Sequence, residues 1–190
     1  MTRQLAFSLA LLFLPLSCLS GAELTVAHFF GDHMVIQRGK PLRVWGSAQP
    51  GENVQVRFAT RDLTVKADDQ GHWLMELEAL PASTQGRAMT IRSGESTITY
   101  DNILVGDVWV CGGQSNMAMT LRSSVNRELE IAAANYTGIR FLRVPLISRG
   151  TPQADLSTPN PKSNEGNWQT ATSDRVGNCT GVGYYFAQVL

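Results

Sequence analysis

The sequence predicts an α+β protein in two parts, an antiparallel β-sandwich over residues 23–102 followed by the start of an α/β layer over 103–190. Three observations carry this prediction. Between Leu24 and Ile103, short apolar–polar alternations recur, with turn residues between them and no helical period. After Asp101-Asn102 the apolar runs become continuous, as in strands buried on both faces. Residues Gly106 to Met119 (GDVWVCGGQSNMAM) then read as strand, glycine turn, small hydroxyl and helix start.

The first 22 residues are a targeting segment rather than part of the fold. Arg3 supplies a positive start, Leu5 to Leu16 an apolar run, and Ser20-Gly21-Ala22 a small-x-small cleavage site. The run is shorter than the ~20 residues a spanning helix needs. Cleavage near Ala22 is expected, with a secreted or periplasmic protein that has no membrane attachment afterwards. Cys18 lacks the small preceding residue of a lipidated cysteine.

Alternation in the β part falls on Val54-x-Val56-x-Phe58, Leu63-x-Val65, Trp73-x-Met75-x-Leu77, Met89-x-Ile91 and Ile98-x-Tyr100. Gln49-Pro50-Gly51-Glu52, Asp68-Asp69-Gln70-Gly71 and Ser93-Gly94-Glu95 are the turn signals between them. Trp45 and Trp73 can stack on sugar, but a tryptophan within a strand is the usual material of a core. His28, His33 and His72 are scattered without metal-ligand spacing.

In the second part, Ile103-Leu104-Val105 and Val108-Trp109-Val110-Cys111 are the expected buried strands. Val125 to Ala134 carries Leu129, Ala132 and Ala133 at helical spacing, Gly138 closes it, and Ile139 to Val144 is the next strand. Strand, helix, strand is the pattern of a parallel layer. Residues 145–166 are rich in Pro, Ser, Thr and Asn and predict a long surface loop, a common home of functional residues. Gly181 to Leu190 begins a helix with Val182, Tyr185, Phe186 and Val189 on one face.

Sixteen basic and sixteen acidic residues balance in 190, and no dense basic run exists, so nucleic acid is not an expected partner. Chain length suffices to bury a core without a disulfide, and Cys111 and Cys179 are expected to be unpaired thiols. Asn135-Tyr136-Thr137 and Asn178-Cys179-Thr180 match the glycosylation sequon.

The chemistry centres on Ser115. A glycine-hinged turn between a buried strand and a helix lifts a hydroxyl clear of the sheet edge, where the first free N–H groups of the helix face any developing oxyanion. Met117 stands where the G-x-S-x-G elbow has glycine, so this is a different turn. Two other readings fit the local text. Ser115 can serve as a helix N-cap, and Cys111 can be proposed as nucleophile, although a cysteine in an apolar strand is more commonly a small buried hydrophobe.

GDVWVCGGQSNM resembles the serine block of the sialate O-acetylesterase family, a branch of the SGNH hydrolases related to acetylxylan esterases. Phe30 to Arg38 is similar to the family's opening segment, Val44-Trp45-Gly46 through Glu52 to its next, and Val182 to Ala187 to the helix after the serine block. The resemblance implies a β-sandwich followed by a three-layer SGNH hydrolase domain. It implies removal of O-acetyl groups from sialic acid or a related acetylated glycan through an acyl-serine, with no metal or organic cofactor. Ser115 would be the nucleophile and its own N–H an oxyanion donor, with Gly113, Gln114 and Asn116 shaping the turn beside substrate. The implied Asp-x-x-His block, with the base, does not occur in this sequence, so the chain reads as the front of a longer enzyme, expected to be inactive alone. The alternative is a non-catalytic secreted carbohydrate-binding or interaction module, which exposed coplanar aromatics would favour. The substrate hydroxyl and oligomeric state are not legible.

Overall fold

The computed structural model describes residues 23–156 and 165–190, so the stretch expected to be a targeting segment lies outside the described residues. In chain order the strands of the β part are β1 (Thr25–Val26), β2 (Val35–Gln37), β3 (Leu42–Ser47), β4 (Asn53–Phe58), β5 (Arg61–Lys66), β6 (His72–Leu77), β7 (Ser83–Ser93) and β8 (Ser96–Gly106). They form a three-stranded sheet, β1-β3-β6, and a five-stranded sheet, β2-β8-β7-β4-β5.

The period-two pattern decides which side chains meet. Val54, Val56 and Phe58 of β4 are fully buried, as are Met89 and Ile91 of β7, while the residues between them face outward. Val44, Trp73, Met75 and Leu77 of the smaller sheet join the same apolar cluster, so the two sheets share one core. Trp73 is core, as expected of a strand tryptophan, and Trp45 is half-buried.

Two expectations fail at the end of this region. Ile103-Leu104-Val105 does not open a new layer: β8 runs unbroken to Gly106, and Ile103 pairs with Arg87 of β7. The run is continuously apolar because β8 is covered there, with Leu104 and Val105 also paired to Val35 and Ile36 of β2. That pairing is parallel, a departure from the all-antiparallel expectation.

The turn before β2 adds a pH-sensitive contact. His33 sits in left-handed backbone (φ 65°) and donates its N–H to the Asp101 carbonyl at 2.9 Å. Its Nδ1 lies 2.8 Å from Asn102 Nδ2, which makes that nitrogen the acceptor and the neutral ring the favoured form. Burial, then the nearby Arg140 charge, lowers the His33 pKa below its ordinary value. A base with a depressed folded pKa gives its full contribution above the unfolded value of about 6.5 and loses it as pH falls through the lowered one. Thermal unfolding followed from pH 7.5 downward should therefore show a melting temperature that declines below about pH 6.5. The decline should be shallower in His33→Asn, which tolerates the same backbone angle without titrating.

The remaining elements are α1 (Ser115–Ala118), α2 (Arg127–Ala133), β9 (Asn135–Leu142), β10 (Trp168–Thr172) and α3 (Gly181–Gln188), with single 3-10 turns at Leu121–Ser123 and Val176–Asn178. They enclose a second, smaller core of Leu121, Ala134, Ala171, Val176, Cys179 and Tyr184.

Here the sequence expectations need more correction. Val108 to Cys111 is not a buried strand: no described strand pairs with it, Val110 is 96% exposed and Cys111 is exposed. An apolar run without alternation marks a strand only where neighbours cover both faces, and among the described residues none does. The expected parallel layer is replaced by an antiparallel pair, β9 with β10, in register Trp168 with Leu142. Gly138 lies inside β9 rather than closing the preceding helix. In α2 the inward residue is Ile131, while Leu129 points out at 73% exposure.

Candidate active site

The segment carrying Ser115 leaves the larger sheet at the end of β8, and side chains of β2 hold it at its root. Gln37 Oε1 accepts the Val108 N–H at 2.9 Å, and Gln37 Nε2 donates to the Arg38 carbonyl at 3.2 Å. Arg38 donates from its backbone N–H to the Gly106 carbonyl at 2.8 Å and from Nε to Asp107 Oδ1 at 2.8 Å. The Arg38 hydrogen bond holds the Asp107 carboxyl below the usual carboxylate range. Sequence inspection gave Gln37 and Arg38 no role, although both stand in the segment that resembles the family's opening.

Beyond this root the chain runs without regular structure to Gly113 and turns into α1. The glycine argument takes a different form from the expected one. Neither Gly112 nor Gly113 adopts positive φ. Gly113 is instead a close approach: a Cβ there would stand 3.0 Å from Met117 Cβ, and at Gly112 it would meet nothing within 4 Å. Gln114 occupies the N-cap position without a side-chain cap bond, and Ser115 is the first helical residue. Gln114, Ser115 and Asn116 are all exposed.

Ser115 Oγ makes no hydrogen bond to any described residue, so the N-cap alternative does not describe it. The first intrahelical bonds run from Ala118 N–H to the Gln114 carbonyl and from Met119 N–H to the Ser115 carbonyl. The N–H groups of Ser115, Asn116 and Met117 come earlier in the turn and are free to face an oxyanion. The arrangement presents a hydroxyl and a few backbone N–H groups without described acceptors but, among the described residues, no base. His28, His33 and His72 all belong to the β part, and none bonds to Ser115. Among the described residues, no three His, Cys, Asp or Glu side chains converge to hold a metal ion.

The start of α3 braces the turn from the other side. Thr180 Oγ1 donates to Met117 Sδ at 3.5 Å, Gly181 N–H to the Met119 carbonyl at 2.9 Å, and Leu121 N–H to the Cys179 carbonyl at 2.9 Å. Gly183 permits this contact, since a Cβ there would stand 2.6 Å from Thr180 Cγ2 and 3.2 Å from Cys111 Sγ. Trp109 packs edge-on against Phe186 with ring centroids 5.2 Å apart. Among the described residues Cys111 and Cys179 are both free, and burial pushes the Cys179 thiol up to about 12, leaving it inert.

Comparison with known proteins fits this geometry. No family model matches the chain. Human sialate O-acetylesterase is 30% identical over 171 residues, covering 83% of this chain and 31% of the human protein. The solved structure of a carbohydrate acetylesterase from Xanthomonas citri superposes with a TM-score of 0.81 at 34% identity, over 87% of this chain and 36% of that one. The chain belongs to the sialate O-acetylesterase family. Mouse sialate O-acetylesterase is 28% identical over 149 residues, 73% of this chain and 28% of its own. The chain therefore spans about a third of the length of the family members it matches. Its mostly β architecture, with few helices, agrees with the carbohydrate esterase structure. No described helix is long and apolar enough to cross a membrane.

The root contacts carry a prediction of their own. Gln37→Leu removes the acceptor for the Val108 N–H, a bond worth about 0.5–1.5 kcal/mol, so amide exchange over residues 108–116 should accelerate up to roughly tenfold. Gln37→Glu keeps an acceptor and should restore most of the protection. Protection of β4 and β7 should be unchanged in both variants, as read by hydrogen-exchange mass spectrometry.

Proposed function

We propose that this chain carries the nucleophile of a secreted or periplasmic carbohydrate esterase that removes O-acetyl groups from sialic acid or a related acetylated glycan. The supporting observation is the Ser115 hydroxyl, exposed, unpartnered and fixed at a helix start between the β2 contacts and α3. In this reading the accessory sandwich runs to the end of β8 at Gly106, a few residues past the expected boundary at 102, and the rest of the chain is the beginning of an SGNH hydrolase domain. Ser115 Oγ attacks the acetyl carbonyl, the serine N–H helps to hold the oxyanion, and the sugar hydroxyl leaves with a proton. Water then releases acetate from the acyl-serine.

That sequence needs a general base, and a serine hydroxyl without one is a weak nucleophile. The base belongs to the region that the family members possess outside this third of their length. Gln114 and Asn116 flank the nucleophile, and Gly113 lets Met117 pack close behind it. The purified 190-residue chain should show no serine-dependent turnover of an acetyl ester, whereas the whole enzyme should. Turnover by the chain alone that disappears in Ser115→Ala would mean that one of its three histidines reaches Oγ, contradicting this assignment.

A further inference from the structure

A cavity of about 360 Å³ lies between the β part and the segment that follows β9. Its lining includes the apolar side chains of Phe29, Trp45 and Ile147 and the polar ones of Arg149, Gln153 and Asp155. None of residues 106–119 lines it.

The aromatic lining is held in place by its own contacts. Phe29 meets Trp168 edge-on at 5.7 Å and Phe30 at 5.8 Å, and Phe30 meets Trp45 edge-on at 5.0 Å. Trp168 Nε1 donates to the Phe29 carbonyl at 2.9 Å. The later segment is tethered by Asp155, whose Oδ1 and Oδ2 accept the His28 N–H at 2.9 and 3.0 Å and whose Oδ2 lies 2.9 Å from His28 Nδ1. Asp155 is thus spent on closing the segment over the turn at residues 28–30.

Two polar groups remain for a ligand. Arg149 is exposed and makes no hydrogen bond or ion pair among the described residues. Gln153 uses Nε2 on Thr151 and leaves its carbonyl oxygen free. A preformed recess with aromatic and aliphatic walls and a few convergent polar groups is the ordinary build of a small-ligand site, and its size falls in the usual range of about 300–1,000 Å³.

We propose that this cavity is a sugar-binding subsite that takes one pyranose unit of a glycan. A pyranose offers apolar C–H surface for Trp45, Phe29 and Ile147, and hydroxyl or carboxylate oxygens for Arg149 and Gln153. The choice of a sugar over another small molecule rests on the carbohydrate-esterase reading above. The subsite would anchor the glycan apart from the acetyl group being cut.

The test is titration of the chain with N-acetylneuraminate and with xylobiose, followed by saturation-transfer NMR and by the Trp45 indole resonance. Binding of at least one sugar in the millimolar range is expected, with Trp45 shifted. Ile147→Ser and Arg149→Ala alter exposed residues outside the core and should each weaken it by roughly fivefold or more. Leu129→Ser, an exposed position outside the cavity lining, should bind normally. No binding of either sugar, or binding that both cavity variants leave intact, overturns the proposal. Sugar binding in a whole enzyme lacking esterase activity would contradict the Ser115 assignment and leave the subsite standing. An active enzyme whose cavity binds no sugar would do the reverse.

Discussion

Ser115→Ala in the whole enzyme is expected to abolish turnover of acetyl esters, lowering kcat by on the order of 10⁶ while the protein stays folded. The expected size follows from the role. Removing a nucleophile deletes the covalent route, whereas removing a helix cap costs about 1 kcal/mol of stability and leaves chemistry intact. In the structure Ser115 caps nothing, and its loss breaks no described side-chain hydrogen bond. Steady-state rates on an acetyl ester, with thermal unfolding of both proteins as control, check the expectation.

Phe58→Ala should produce the largest loss of stability. Phe58 is fully buried at the end of β4, paired across the ladder with Met89 of β7, in the core that the two sheets share. Truncating it removes the ring's burial and leaves a cavity that rigid β-sheet walls close poorly, costing about 3–5 kcal/mol. Whole domains have only about 5–15 kcal/mol of stability, so the variant should be partly unfolded at modest temperature. Urea denaturation followed by tryptophan fluorescence measures this. The root contacts of the serine segment hang from β2 and β8 of the same sheet, so unfolding there also releases Ser115.

The β part was legible in the sequence because its alternation is a direct image of burial: Val54, Val56 and Phe58 point in because the residues between them do not. The serine turn was legible through residue type and order. Its glycine matters for a reason other than the expected one, since a Cβ at Gly113 would crowd Met117 and no positive φ is involved. Continuous apolar runs misled twice, in opposite ways. Ile103–Val105 is covered inside the sheet that the alternating strands build, whereas Val108–Cys111 has no described strand beside it. The same composition serves both, and only long-range pairing separates them. The Gln37–Arg38–Asp107 contacts were hidden for a related reason, because partners about 70 positions apart leave no local pattern.

Isolation of the acyl-enzyme identifies the nucleophile. The whole enzyme is mixed with an activated acetyl ester, quenched in acid, digested and analysed by mass spectrometry. The account predicts an acetyl group on the peptide containing Ser115, absent from Ser115→Ala and chased off by time before quenching. Acetyl on Cys111 or on another serine, with Ser115 unmodified in an enzyme that is turning over, would contradict it.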